Sequence, residues 1–424
     1  MISARKIALL AVVASQTNAF ADEKSDKDIQ KSVVPYGLIQ AYSNVADSQY
    51  SSAPDFTLAI LRFGMKVSEG ITRAQFETAV WGNVAETGDV TISAVGLNGV
   101  SIRRADVGLA LSSGTTISLG RIRMGGADAW GVDATAAAEQ FGSIDGASVV
   151  QKLSLGDKND LSFSLGIGNS MGNPSGKDSH TFGRSLKSDR GVIVGARASV
   201  LNGVVATAYY GMEKNQIAQE SSAEQAVLDA EGKPVADGKF VKLKKVITAR
   251  DASHFEGSLG YNKDNYAVGG WYQSVVRSDL KLATFVDNKL TTSTITAADE
   301  KYGARISPKL TSSILGVGFN TDSSLLGYTD VLQKGALLTF GGSLAKTFER
   351  DGNSSNDTEE AKNDVTQVAV AVGYQSGGFA LELGNEFQSS KAEGFNNKNK
   401  EQGSAATPNK SSAYRTYLVG IYSF

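Results

Sequence analysis

The final thirteen residues, Ser412-Ala-Tyr-Arg-Thr-Tyr-Leu-Val-Gly-Ile-Tyr-Ser-Phe424, repeat apolar residues at every second position up to a terminal Phe. In an extended strand, successive side chains point to opposite sides. One side would therefore carry every second residue, and these are mostly apolar: Tyr414, Thr416, Leu418, Gly420, Tyr422 and Phe424. The pattern predicts a β-strand with one greasy face that ends on an aromatic side chain.

The same period recurs along the chain. Between Thr57 and Val67 the odd positions are apolar, whereas the even positions include Arg62 and Lys66. After a short turn the register inverts, and Arg73 falls on the polar face of the next segment. Each pair of segments is therefore predicted to form a hairpin with one apolar and one polar face.

Sixteen segments share this alternation, and they lie near 34–45, 56–67, 71–82, 100–112, 115–124, 147–156, 160–169, 190–201, 204–213, 252–261, 266–276, 310–320, 335–350, 364–375, 379–389 and 412–424. Short and long connections alternate between them, and the longest are 214–251 and 277–309. The predicted fold is all-β: a transmembrane antiparallel barrel of about sixteen strands, with short periplasmic turns and long outer loops. Closure is expected because an open edge in lipid would leave backbone groups unpaired.

The N-terminus is expected to direct export. Arg5 and Lys6 precede an apolar run over 7–14, which is too short to span a bilayer as a helix. Small residues at Ala19 and Ala21 predict cleavage before Asp22. We therefore divide the chain into a signal peptide (1–21), a charged segment (22–33) and an outer-membrane barrel (34–424).

Composition argues against several other functions. The chain has no Cys, and its only histidines are His180 and His254. This leaves no recognisable catalytic triad or zinc cluster, so we expect no enzyme activity, no metal and no cofactor, and two solvated histidines. Without Arg5 and Lys6, 40 basic residues face 44 acidic ones. A nucleic-acid binder would have a basic excess instead.

Several segments resemble the general porin family of Gram-negative outer membranes, whose members are sixteen-stranded trimers. The resemblance covers about 56–146 and the last strand, and it rests on the motifs Arg62-Phe-Gly-Met-Lys66, Trp81-Gly-Asn-Val-Ala-Glu86, Arg103-Arg-Ala-Asp-Val-Gly-Leu109, Gly114-Thr-Thr-Ile-Ser-Leu-Gly-Arg121 and Gly420-Ile-Tyr-Ser-Phe424. It implies a homotrimeric outer-membrane channel for passive diffusion of small hydrophilic solutes and ions.

The resemblance also implies that the loop after the fifth strand, here 125–146, folds into the barrel and narrows the pore. This loop contains no Lys or Arg. It contains four acidic residues, Asp128, Asp133, Glu139 and Asp145. A basic cluster is implied on the facing wall, where alternation points Arg62, Lys66 and Arg73 toward the lumen. In the fourth strand alternation favours Arg104, whereas alignment to the family favours Arg103; we follow the alternation, because a charge facing lipid at mid-membrane costs roughly 2–4 kcal/mol.

Partners are implied by the same resemblance. Glu86 aligns with an acid that latches a neighbouring subunit, and Arg121 aligns with the Arg that receives it. Tyr422 and Phe424 resemble the signal that barrel-assembly machinery recognises. Outer-membrane lipid and lipopolysaccharide would surround the barrel. Alternative functions are a substrate-selective channel with binding residues in its long loops, a surface adhesin anchored by the barrel and, disfavoured by the histidine count, a hydrolase.

Overall fold

The computed structural model describes residues 31–47, 55–80, 100–124, 128, 130–131, 143–156, 159–170, 190–226, 240–263, 265–278, 281–286, 289–294, 310–351, 361–393 and 409–424. Eighteen strands in this part of the chain form one antiparallel sheet. In chain order they are β1 (Lys31–Asp47), β2 (Asp55–Glu69), β3 (Thr72–Val80), β4 (Val100–Ala110), β5 (Thr115–Arg123), β6 (Ser143–Ser154), β7 (Asp160–Ser170), β8 (Arg190–Val200), β9 (Val204–Ala226), β10 (Phe240–Lys263), β11 (Tyr266–Arg277), β12 (Lys281–Val286), β13 (Lys289–Thr294), β14 (Leu310–Asp322), β15 (Leu337–Asp351), β16 (Ala361–Ser376), β17 (Phe379–Glu393) and β18 (Asn409–Ser423).

Sixteen of these strands close into a barrel, which confirms the predicted fold class. Consecutive strands pair with each other around the ring, and β11 pairs with β14 across the β12–β13 hairpin. The first strand pairs with β2 on one side and with β18 on the other. All sixteen barrel strands therefore have two neighbours, and no edge faces the membrane.

Side chains alternate between the two surfaces of the barrel as the sequence predicted. On β7 the outward residues Phe163, Leu165 and Ile167 are 41–54% exposed. On β10 the inward residues His254, Glu256 and Ser258 are buried. The outer surface is thus apolar, and the interior carries most of the polar and charged side chains of these strands.

Among the described residues, no helix is long and apolar enough to cross a membrane.

The terminal aromatic side chain closes the seam between the ends of the barrel. Gly37 of β1 donates its backbone N–H to the carbonyl oxygen of Phe424 at 2.9 Å, and Phe424 donates back to Gly37 at 3.2 Å. The phenyl ring of Phe424 lies over Gly37, where a Cβ atom would overlap it. Pairing an aromatic ring with a glycine on the adjacent strand covers backbone that would otherwise be bare.

The strand boundaries correct four parts of the prediction. β1 begins at Lys31, inside the segment predicted to precede the barrel. β6 begins at Ser143, within the predicted loop 125–146. The predicted long loop 214–251 is partly strand, since β9 and β10 have 23 and 24 residues and pair beyond the barrel. The predicted loop 277–309 contains the β12–β13 hairpin, which pairs with β10. The sequence did not predict these extensions because they are polar and lack apolar alternation. Strands outside the membrane need no apolar face.

Candidate pore inside the barrel

Residue Asp128 of the predicted loop lies inside the barrel. Its carboxylate accepts a hydrogen bond from Nη1 of Arg197 at 2.6 Å, and its backbone N–H donates to Oγ of Ser258 at 3.1 Å. Arg197 is on the inner face of β8, and Ser258 is on the inner face of β10. The loop therefore reaches across the lumen to a wall far along the chain from its own strands.

The loop packs against a row of three glycines on that wall. Gly260, Gly269 and Gly318 are directly opposite one another on β10, β11 and β14. We call these three residues the glycine row. A Cβ atom on Gly269 would lie 2.6 Å from the Trp130 indole. A Cβ atom on Gly260 would overlap the Trp130 ring, and one on Gly318 would overlap the Trp130 carbonyl oxygen. Any larger residue in the glycine row would therefore displace Trp130.

The residue after Trp130 continues along the same row. Gly131 has a φ of +89°, which disfavours an L side chain, and its Cα lies close against Gly318. Its carbonyl oxygen accepts a hydrogen bond from Nδ2 of Asn320 at 3.3 Å. Trp130 itself is only 6% exposed. Three described residues of the loop thus lie flat against the interior wall.

The predicted basic residues lie on the wall formed by β2, β3 and β4. Arg62 and Lys66 alternate with exposed apolar residues on β2 and so point inward. The ammonium of Lys66 lies 5.2 Å from the centroid of the Tyr36 ring. Arg73 on β3 donates a hydrogen bond from Nη2 to Oγ of Ser118 on β5. These three cations line one continuous stretch of the interior.

Arg104 also points inward, and a β-bulge explains why alternation and family alignment disagreed. Glu77 is opposite Arg104, but the next residue of β3, Thr78, is opposite Ile102, so Arg103 is the extra residue. Arg104 forms an ion pair through Nε with Asp106, whose side chain is 1% exposed. The charge of Arg104 is therefore offset locally by Asp106.

Two acids on this wall reduce its net positive charge. Besides Asp106, the wall carries Glu77, which accepts a hydrogen bond from Oη of Tyr36 at 3.0 Å. The phenol of Tyr36 in turn accepts one from Nε2 of Gln75 at 2.7 Å. The wall is thus a mixed network with an excess of two positive charges among Arg62, Lys66, Arg73, Arg104, Glu77 and Asp106.

The loop and the basic wall are on opposite sides of the ring. Trp130 packs against β10 and β11, whereas the basic residues belong to β2, β3 and β4. In the ring order, β3 and β11 are eight strands apart in either direction, which is half of the sixteen. The lumen between them is bounded by cations on one side and by the loop with Asp128 on the other.

The structure overturns the assignment of Asp145 to the pore. Asp145 lies on β6, and its side chain points outward, away from the lumen. Nε and Nη2 of Arg121 donate to its two carboxylate oxygens at 2.8 and 3.1 Å, and Nη1 donates to the Ile102 carbonyl oxygen at 2.9 Å. The prediction failed because β6 begins earlier than its first apolar run.

Other predicted residues cannot all be placed. Asp133, Glu139 and Glu86 lie outside the described residues, as does His180. His254 is not solvated as predicted: it is 2% exposed, with Nε2 3.7 Å from Oε2 of Glu213. The described residues contain no group of three or more side chains suited to hold a metal ion.

Two features of the lumen, the contact of Arg197 with the loop and the glycine row, are not predicted by the sequence. Alternation along β8 is enough to predict that Arg197 points inward, but it does not reveal that Arg197 binds the loop. The glycine row was visible only as glycines at inward positions, among them the second glycine of Gly316-Val-Gly318. Register between strands joins these glycines into one surface, and a single sequence does not contain that register.

A closed antiparallel barrel with an apolar exterior and a polar interior is the architecture of bacterial outer-membrane β-barrels, and this fold places the protein in that class and in the outer membrane.

No protein-family model and no curated protein sequence matches the chain. Solved structures with a similar fold include in-vitro folded OmpT of Vibrio cholerae (13% identity, covering 95% of this chain and 100% of that chain, TM-score 0.48). Salmonella typhi OmpF in complex with daunomycin has 10% identity over 93% of this chain and 97% of that chain, with a TM-score of 0.49. The channel DcaP of Acinetobacter baumannii has 12% identity over 95% and 100%, with a TM-score of 0.48. These likenesses are too distant to carry a function across.

Proposed function

We propose that the protein is a porin, a passive diffusion channel for small hydrophilic solutes and ions. The observation that carries this proposal is the position of Asp128, Trp130 and Gly131 inside the barrel, held against the wall opposite the basic residues. A loop packed within the lumen narrows a passage, whereas a barrel that serves only as an anchor has no need of one.

The charges on either side of the gap explain how such a passage would act on solutes. Cations at Arg62, Lys66 and Arg73 face a loop that contributes Asp128, with Asp133 and Glu139 expected to follow it. Opposite charges across a narrow gap between low-dielectric walls create a transverse field. Because Arg197 offsets Asp128 and Asp106 offsets Arg104, we expect weak selectivity, with a mild cation preference from the acidic excess of the chain.

Conductance of the purified protein in a planar bilayer tests the proposal. A diffusion porin gives discrete steps whose size rises in proportion to salt concentration. Steps grouped in threes would support the homotrimer. A protein that inserts, shown by heat-modifiable mobility on a gel, but carries no current would contradict the pore function and favour the adhesin.

If the protein is instead a substrate-selective channel, we expect solute flux to depend differently on solute concentration. If loop residues bind one solute class, flux of that class saturates, while the conductance of small ions remains linear. Liposome swelling with uncharged sugars of increasing size separates the two. A smooth fall of rate with size supports general diffusion, and a sharp preference for one sugar supports selectivity.

A further inference from the structure

Tyr36 on β1 reaches across the neighbouring strand to the third strand of the barrel. One row of the inner wall runs across β1 to β4, and its directly opposed residues are Tyr36, Gly64, Glu77 and Arg104. Gly64 has no side chain, and the ring of Tyr36 lies over it, so that a Cβ atom on Gly64 would overlap Cζ of the ring. The hydroxyl group of Tyr36 therefore extends past β2 to the side chains of β3.

That hydroxyl group makes two hydrogen bonds on β3. It donates to Oε2 of Glu77 at 3.0 Å and accepts from Nε2 of Gln75 at 2.7 Å. Gln75 and Glu77 are two residues apart on β3 and therefore point to the same side of the sheet, toward the lumen. A hydrogen bond to an ionised acceptor is stronger than one between neutral groups. The bond from Tyr36 thus helps to fix where the negative charge of Glu77 lies.

Cations of the basic wall surround this carboxylate. The ring of Tyr36 covers the residue midway between Arg62 and Lys66 on β2. The ammonium of Lys66 lies 5.2 Å from the ring centroid, and Arg104 is opposite Glu77 on β4. The interaction between two charges depends on their separation and on the water between them. The position of Glu77 therefore decides how much of its charge offsets the wall and how much acts on the lumen.

We propose that Tyr36 is a positioning residue that sets the ion selectivity of the pore by holding Glu77 against the basic wall. This inference rests on the proposed pore function and adds a specificity-determining residue to it. The phenol is neutral, so it adds no charge to the lumen and acts through the carboxylate that it holds. Without the hydroxyl group, we expect the carboxylate to turn toward the water of the lumen, where its charge attracts cations more strongly.

Tyr36→Phe tests the proposal, because it removes the hydroxyl group and keeps the ring that covers Gly64. The measurement is the reversal potential of the full-length protein in a planar bilayer across a tenfold salt gradient. We expect the cation-to-anion permeability ratio to rise by roughly twofold, since one charge moves within the lumen and none is added or lost. Tyr374→Phe is the matched control, because it removes the same group from the outward face of β16 and should match the wild type.

Two further variants separate positioning of Glu77 from a general disturbance of the wall. Glu77→Gln removes the charge, so adding Tyr36→Phe in that background should cause no further shift of the reversal potential. Gly64→Ala keeps the hydroxyl group, but its Cβ atom overlaps the Tyr36 ring and should push the ring away from Glu77. It should therefore shift the potential in the same direction as Tyr36→Phe. Heat-modifiable mobility shows that each variant is folded.

The outcomes distinguish this proposal from the pore function itself. An unchanged reversal potential in Tyr36→Phe, or an equal shift with and without the charge of Glu77, would overturn the proposal and leave the pore function intact. A wild-type protein that inserts but carries no current would contradict the pore function. The contact is then decided by the temperature at which the folded form is lost on a gel. Interacting residues give non-additive effects, so additive effects of Tyr36→Phe and Glu77→Gln would overturn the positioning of Glu77 by Tyr36.

Discussion

Nη1 of Arg197 on β8 donates a hydrogen bond to Oδ2 of Asp128 at 2.6 Å, joining the wall of the barrel to a loop that begins three strands away. Both side chains are partly exposed, at 34% and 21%. A partly exposed pair contributes about 1 kcal/mol or less. The ion pair therefore positions the acid in the lumen more than it stabilises the fold.

Arg197→Gln should move the ion preference of the channel toward cations. The change removes one positive charge from the lumen and leaves Asp128 without its partner. Arg197→Lys keeps the charge and serves as the control, so its reversal potential in a salt gradient should remain that of the wild type. If both variants behave alike, Arg197 does not influence the conducting path.

Gly260→Ala should increase single-channel conductance. The added Cβ overlaps the Trp130 ring, and crowding of this kind costs roughly 1–3 kcal/mol, which displacement of the loop relieves. Gly257→Ala on the same strand is the control, because its Cβ would meet its nearest atoms at 3.5 Å, an ordinary contact. Unchanged conductance in Gly260→Ala would mean that the loop position does not set the pore size.

Arg62→Gln with Arg73→Gln should strengthen cation preference and widen the gap. Two charges and two long side chains leave the lumen, and Ser118 loses the hydrogen bond from Arg73. The shift in reversal potential should shrink in ~1 M salt, where the screening length is about 3 Å. A shift that is independent of salt would contradict an electrostatic origin.

The fold was predictable from the sequence because a lipid-facing barrel imposes a two-residue period on every strand. That period placed Arg62, Lys66, Arg73 and Arg104 on the inner surface. It failed where the strands have no apolar run: at Asp145, which comes before the first apolar run of β6, and in the β9 and β10 extensions. Seating of Trp130 on the glycine row depends on register across β10, β11 and β14, and it could not be predicted.

Arg121 provides a test of subunit contact. It lies on the outer surface and already binds Asp145, so a latch from Glu86 of a neighbouring subunit would add to this pair. If the latch exists, Glu86→Ala and Arg121→Ala should each lower the temperature at which an isolated trimer dissociates, relative to the wild type. The double variant should dissociate at the same temperature as the single variants, because all three remove the same contact. Asp145→Asn should leave the effect of Glu86→Ala intact. A double variant whose trimer dissociates at the same temperature as the wild type would exclude the latch.

Whether the loop lines the pore is tested most directly by the reversal potential of the channel across a tenfold salt gradient after the loop acids are neutralised. Asp128→Asn, Asp133→Asn and Glu139→Gln are combined in one variant, and Asp145→Asn, which faces outward, is the control. A charge ~4 Å from an ion in water contributes about 1 kcal/mol. We therefore expect the combined variant to shift the cation-to-anion permeability ratio toward anions by roughly two- to fivefold and the control to match the wild type. An unchanged potential in the combined variant would contradict the claim that this loop lines the pore.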